Sequence, residues 1–301
     1  MKQFFQNIIL FLIGLLVFIV GTDVLIDRNV HDFIEAKYEE IYEQKTNAEV
    51  VIIGASRGMR AINPAFLDFQ GKPIYNFCYQ GSNPEFTLMW YNKLFKEKYR
   101  KPSTIIYTID WMMFDPAWLE RKFEHDSEFF STQDFWTSFL RPDGLSRSDL
   151  LFNWLVLRKD VFNLQYVFSE KTNYLPDEME KYDRGFIPRN DEFFRTPRKT
   201  AKFDSTRIRQ FEELLQQFQK EDIEVILVQC PEFKPEETKP NKMDSIINQM
   251  AAQYDLKSFD YNEALAGTLN QDKNNFFNWS HLNEKGATRF SKQFNLDLKN
   301  R

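Results

Sequence analysis

The sequence predicts an α/β fold: a three-layer α/β/α sandwich around a five-stranded, mainly parallel sheet, with an N-terminal transmembrane helix and an aromatic-rich insertion. Three observations carry this expectation. Short runs of β-branched and aliphatic residues alternate with amphipathic segments of helix length. Residues 1–27 contain one long apolar run. A stretch from about 112 to 202 is dense in Phe and Trp and lacks the strand–helix rhythm. The expected organisation is a transmembrane anchor over 1–27, a stalk over 28–47, and one domain over 48–301 with a lid-like insertion at about 112–202.

The apolar run extends from Ile8 to Val20 and is lengthened by Phe4 and Phe5 before it and by Gly21 and Thr22 after it. Its length of about 19 residues suits a helix crossing a bilayer core. Lys2 precedes the run and Asp23 follows it, which orients the N-terminus to the cytoplasm and the domain to the outside. A cleaved signal peptide is the alternative, but no small-x-small cleavage site stands out. No Cys follows the run, so a lipoprotein anchor is excluded. The segment from Arg28 to Asn47 is polar and helical in character.

The first expected strand is Val50 to Ile53, four β-favouring residues closed by Gly54 and suited to burial on both faces. The second is "KPIYNFCY". Asn83, Pro84 and Glu85 then read as N-cap, N1 and N2 of a helix continuing to about Lys98. The third strand spans Ser103 to Trp111. The alternation resumes with a helix from about Ser205 to Lys220, a strand from Glu224 to Cys230, a helix from about Lys242 to Tyr254, and a strand from Leu256 to Tyr261. The last helix starts near Asn283 and runs to about Leu298. With strands in the flavodoxin-like order 2-1-3-4-5, Cys78 and Cys230 end strands three steps apart, about 14 Å at 4.8 Å per step. Bonded cysteines need Cα atoms within about 7 Å, so two buried thiols are expected and no disulfide.

A net charge of −5 with no basic cluster excludes nucleic acid as a partner. Gly 10 and Pro 12 beside Phe 31 and Tyr 12 exclude a disordered chain. The three histidines, His31, His125 and His281, lie in separate contexts with no Cys or acid at ligand spacing, so no metal and no cofactor is expected.

In an open parallel sheet, ligands bind beyond the carboxyl ends of the strands. Those ends carry Gly54-Ala55-Ser56-Arg57, Gly81-Ser82-Asn83, Asp110-Trp111 and Cys230-Pro231-Glu232, followed later by "NFFNWSHLNEKGA" with His281. A serine, a histidine, small residues exposing backbone N–H groups and side-chain amides are the parts needed for acyl transfer through an oxyanion. Ser56 is also a natural helix cap, and His281 a plausible core histidine.

This ordering resembles the SGNH/GDSL hydrolase family over about residues 48 to 112 and 204 to 298. The resemblance implies Ser56 as nucleophile, Gly81 as an oxyanion donor, and His281 as the base of a C-terminal Asp-x-x-His motif. Two positions depart from the family pattern. Asn278 stands where the family has the Asp, and Thr108-Ile109-Asp110-Trp111 stands where a Gly-x-Asn-Asp pattern supplies an oxyanion asparagine. Asn83 offers a replacement amide donor. An amide at 278 fixes the histidine tautomer and stabilises the imidazolium less reliably than a carboxylate does. Three alternatives therefore stay open: a Ser-His dyad with Asn278 as orienter, another acid such as Asp110, Asp260 or Glu232 in that role, or a domain that has lost catalysis.

The expected function is that of a membrane-anchored extracytoplasmic SGNH-type esterase or O-acyltransferase acting on an acylated cell-envelope glycan or lipid. The layout is similar to that of the D-alanine transfer proteins of teichoic-acid modification and the acetyltransferase partners of exopolysaccharide export. The alternative is a catalytically inactive SGNH-like domain that binds glycan or scaffolds a multi-pass membrane acyltransferase.

Overall fold

The structure, a computed structural model, describes residues 1–31, 37, 41, 46–79, 81–96, 100–115, 172–173, 184–189, 192–194, 203–234, 242–265 and 268–300. Most of the expected stalk and most of the insertion lie outside the described residues. The chain divides into two compact units, one formed by Met1–Ala36 with Arg121–Glu178 and the other by Lys37–Glu120 with Met179–Arg301.

In the first unit, the expected span over 1–27 coincides with a 28-residue helix, Lys2–Asn29. The two-residue strand after it, Val30–His31, pairs in parallel with Thr172–Asn173. The helix's described side chains run to Phe18, with Gly21 beyond, and its apolar residues from Phe4 to Phe18 lie largely exposed. Among the described residues no helix is long and apolar enough to cross a membrane. The expected span is thus not found among the described residues.

The second unit is built on five parallel strands in the order β2-β1-β3-β4-β5, where β1 is Val50–Gly54, β2 Ile74–Asn76, β3 Thr104–Ile109, β4 Glu224–Gln229 and β5 Lys257–Asp260. The expected strand order is therefore the observed one. Every residue of β1 and β3 is buried, which explains why both read as continuous apolar runs rather than alternating ones. Both termini of the expected β2 fall short: the ladder ends at Asn76, whose amide donates to the carbonyls of Gly58 and Ile62.

Among the described residues, six helices follow the strands: α1 Ser56–Ala61, α2 Pro84–Tyr91, α3 Ser205–Lys220, α4 Lys242–Gln253, α5 Tyr261–Ala264 and α6 Glu284–Lys299. The chain steps from β1 outward to β2, then back across β1 to β3, β4 and β5. Right-handed crossovers accordingly set α1 on the face opposite to α2 and α3. The packing agrees, with α1 against α6 and α2 against α3. Asn63 N–H donates to Ser291 Oγ, which in turn donates to Ala61 O, tying α6 to the end of α1. On the other side Phe211, Leu214, Leu215 and Phe218 give α3 a fully buried stripe, with Phe211 against Tyr107 of β3 at 5.2 Å.

Caps read from the sequence recur in the structure. Asn83 Oδ1 accepts from Phe86 N–H at the start of α2, and Asn283 Oδ1 accepts from Gly286 N–H at the start of α6. The helix expected to run to Lys98 is α-helical only to Tyr91 and continues as a π-helical stretch, Asn92–Lys96.

Two glycines let α1 sit directly on the sheet. Gly54 has φ +133°, and a Cβ there would lie 2.4 Å from the Thr108 carbonyl oxygen. A Cβ at Gly58 would lie 2.1 Å from Thr108 Oγ1 and 2.7 Å from Cys78 Sγ. This close approach places Ser56 at the carboxyl edge of the sheet. Cys78 and Cys230 are buried free thiols, as their strand positions imply.

Candidate active site

Ser56 is the first residue of α1, one residue beyond the turn that leaves β1 at Gly54. The first N–H groups of a helix have no intrahelical acceptor, so the turn that presents the hydroxyl also presents backbone donors. Ser56 Oγ lies 2.8 Å from His281 Nε2. Their separation of 225 positions in the chain is bridged by the topology, since the loop before α6 returns to the end of β1.

The far side of the imidazole settles its proton. Asn278 Oδ1 accepts from the backbone N–H groups of Ser280 and His281, each at 3.0 Å, so this atom is an acceptor and the amide orientation is unambiguous. The same oxygen lies 3.0 Å from His281 Nδ1. Two acceptors would repel at that distance, so Nδ1 carries the proton and Nε2 presents its lone pair to Ser56. Ser280 Oγ adds a contact of 3.0 Å to Nδ1 and one of 3.3 Å to Asn278 Oδ1. The amide thus fixes the tautomer, contrary to the expectation drawn from its lost charge. What it does not supply is a negative charge for an imidazolium.

None of the three carboxylates considered as orienters takes that place; the partners of Nδ1 are Asn278 and Ser280. Glu232 Oε1 accepts from Arg57 Nη1 at 2.7 Å and from Trp111 Nε1 at 2.9 Å. Asp110 Oδ1 accepts from Met112 N–H at 2.9 Å and lies 3.8 Å from Arg57 Nη1. Asp260 Oδ1 caps α5, accepting from Asn262 and Glu263 N–H. Arg57, the residue after the serine, explains the first two: its guanidinium is only 2% exposed and also donates to the Cys230 carbonyl. A buried cation draws carboxylates to itself. Burial works against the Arg57 charge, and Glu232 and then Asp110 hold its pKa above the usual value regardless. Burial pushes the Asp110 carboxyl up, against the opposing pull of Arg57, so Glu232 at 2.7 Å is the main counter-ion.

At the oxyanion positions, Gly81 has φ +74°, a conformation natural to glycine at this turn. Asn83 is buried, and its oxygen serves the α2 cap.

Sequence reasoning missed the surroundings of His281. Phe277 stacks on the imidazole with centroids 5.2 Å apart and planes at 24°. The guanidinium carbons of Arg60 and Arg189 lie 5.7 and 5.1 Å from the Phe277 centroid. Burial lowers the His281 pKa to about 3, with Arg60, Arg57 and Arg189 adding in that order. Arg60 was findable, since it lies four residues after Ser56 and so on the same helix face. Arg189 had no signal, for it lies in the insertion. Of that insertion, residues 184–189 and 192–194 run beside this loop. Ile187 N–H donates to Met59 O, Glu284 N–H to Arg189 O, and Phe194 N–H to Phe277 O. Phe193, Phe233 and Trp279 pack together here, with ring centroids 5.1 to 5.7 Å apart.

No family model matches the chain, and no curated protein matches it. Among solved structures it is similar to a lipase/acylhydrolase from Enterococcus faecalis, with 12% identity over 84% of this chain and 96% of that one and a TM-score of 0.41. It is also similar to a GDSL-like lipase from Bacteroides thetaiotaomicron, with 10% identity over 89% and 98% of the two chains and a TM-score of 0.44. A third likeness is to a catalytic mutant of an acetylxylan esterase from Geobacillus stearothermophilus, with 11% identity over 84% and 94% and a TM-score of 0.38. At these scores the likenesses bear no weight; the geometry of Ser56 and His281 does.

Proposed function

We propose that the chain is an SGNH-type serine esterase or O-acyltransferase in which Ser56 is the nucleophile and His281 the base. The observation that carries this reading is the 2.8 Å contact between Ser56 Oγ and a histidine nitrogen whose tautomer is fixed by Asn278. Ser56 Oγ attacks the ester carbonyl while its proton passes to His281 Nε2. The carbonyl oxygen becomes an oxyanion held by the N–H groups of Ser56 and Gly81, with Asn83 as a further amide donor. The ester C–O bond then breaks and the leaving alcohol takes the proton from Nε2, leaving Ser56 acylated. Water or a sugar hydroxyl attacks in turn, gives its proton to Nε2, and releases the carboxylic acid or new ester as Ser56 recovers its hydrogen.

The apolar run of residues 1–27 and the aromatic insertion support a setting at the outer face of a membrane, where the substrate is an acylated envelope glycan or lipid and a multi-pass acyltransferase is the partner. The low basicity of His281 favours a second reading, a domain that binds such a glycan without turning it over.

Labelling with a fluorophosphonate and assay of aryl acetate hydrolysis distinguish the two. The acyl-transfer reading expects labelling of the wild-type chain and a loss of turnover of about 10⁴-fold or more in Ser56→Ala and in His281→Ala. No labelling, or turnover unchanged in both variants, leaves the binding reading.

A further inference from the structure

We propose that Lys37 is a positioning residue for the oxyanion donors: its ammonium group holds the loop that presents the Gly81 N–H, so that part of the segment expected as a stalk belongs to the catalytic domain. The inference rests on the acyl-transfer reading of Ser56 and His281 and adds a residue that shapes the site.

Lys37 is the first residue of the second unit along the chain. A polar spacer is expected to be solvated, but Lys37 and Ile41 are each 0% exposed and Thr46 is buried. Lysine is almost never fully buried unless its ammonium group is paired or hydrogen-bonded, because the charge loses its water. Lys37 Nζ donates to the Cys78 carbonyl at 2.7 Å, across 41 positions of chain.

That carbonyl belongs to a peptide unit held at both ends. Its N–H, that of Tyr79, donates to Gly54 O at 2.9 Å. Gly54 closes β1 two residues before Ser56. One peptide plane therefore lies between the strand that carries the nucleophile and the lysine, and hydrogen bonds linked in this way polarise and strengthen one another. The β2 ladder has already ended at Asn76, so side chains take over from strand pairing: Asn76 Oδ1 accepts from Cys78 N–H, and Lys37 takes the Cys78 carbonyl.

The next carbonyl, Tyr79 O, accepts from Ser82 N–H at 3.2 Å. This closes a four-residue turn with Gly81 in third place at φ +74°, the backbone that this position of a type II turn requires. The direction of the Gly81 N–H is thus set by the peptide plane before the turn, and Gly54 and Lys37 set that plane.

The test reads aryl acetate hydrolysis and amide hydrogen exchange on the full chain, for the wild type, Lys37→Met and Lys37→Gln. Met keeps an apolar stem and removes the donor, and an apolar residue in place of a buried charge often leaves stability intact. Removing one oxyanion donor outright costs about 10²–10³ in kcat, so a displaced donor is expected to cost part of that. In Lys37→Met kcat should fall about 10- to 100-fold with KM held within about twofold. Exchange over residues 77–83 should quicken by about tenfold or more while exchange in β4 stays as it was. A merely structural role would quicken both regions together. Lys37→Gln keeps an N–H donor on a shorter stem and is expected to show smaller changes in the same two readouts; it carries the test if Lys37→Met does not fold.

An unchanged kcat, a loss confined to KM, or loop exchange that rises no more than that of β4 overturns the proposal. A wild-type chain that hydrolyses no ester, with loop exchange still quickened in Lys37→Met, overturns the acyl-transfer reading and upholds Lys37 as the brace of the loop.

Discussion

At Arg57 the chain meets a buried cation with two carboxylates and a backbone carbonyl. At His281 it meets a ring that becomes a cation in the proposed reaction with an amide and a hydroxyl and, among the described residues, no carboxylate. The first corner is neutralised, and the second is oriented but, among the described residues, has no carboxylate on the ring. In the familiar serine triad one aspartate does both jobs, holding the histidine tautomer and stabilising the imidazolium. Here the two jobs are separated. Two backbone N–H groups pin Asn278 Oδ1 so that it can only accept, and this alone aims the lone pair of Nε2 at Ser56. Among the described residues nothing supplies the electrostatic half, and burial and then Arg60, Arg57 and Arg189 lower the His281 pKa.

The contrast is broken most severely at Arg57. Arg57→Met leaves Glu232 and Asp110 facing each other with no cation in a corner where their side chains are 17% and 8% exposed. A loss of about 3–5 kcal/mol is expected, read as a fall in the urea midpoint, because removing one member of a buried ion pair strands the other. A loss under about 1 kcal/mol would mean that the corner is not neutralised in the way described.

A smaller effect, and the sharper one, is expected from Asn278→Asp. The orientation is already correct, so the gain is limited to the charge: about tenfold in kcat/KM on a neutral ester. The pH profile must move with it. The neutral imidazole is the base, and a pKa lowered to about 3 keeps it neutral far into acid. The wild-type kcat/KM should therefore stay level from pH 7 to about pH 5, while the Asp variant should lose activity on an acid limb nearer the ordinary histidine value of about 6.5. Identical limbs in the two proteins would refute the separation of roles.

Smallest is Ser280→Ala. It removes one of two contacts to Nδ1 and leaves Asn278 in place, so a two- to fivefold fall in kcat/KM is expected, about 1 kcal/mol or less. A fall as large as that of His281→Ala would transfer the orienting role from Asn278 to Ser280.

The sheet and its order were legible because both faces of β1 and β3 are covered, which writes burial into the sequence as unbroken apolar runs. The helices with side-chain caps were legible for the same local reason: Asn83 and Asn283 announce themselves next to Pro84 and Glu284. Ser56 and His281 could be paired because open sheets gather chemistry at the carboxyl ends of their strands. The role of Asn278 was misjudged in one respect. Its identity shows a missing charge, but only the two N–H groups of its own turn show that the tautomer is nonetheless held. Arg189 was not legible at all, since its place beside Phe277 depends on how an insertion without periodicity folds back along the loop. Apolarity alone pointed to a span over 1–27, and among the described residues no helix is long and apolar enough to cross a membrane.

Cys78 and Cys230 lie at the ends of β2 and β4, and burial pushes their pKa up to about 11 and about 12. Thiolates are the reactive form, so both sulfurs are chemically silent in the folded protein at neutral pH. An electrophile offered to the native chain therefore meets no competing thiol among the described residues, and covalent capture can be read as a report on the serine. The same silence makes the two cysteines sentinels of the sheet. A thiol reagent reacts with them only as fast as the strand ends open, so serine capture and thiol release time two separate events in one molecule, the chemistry at its edge and the breathing of its core.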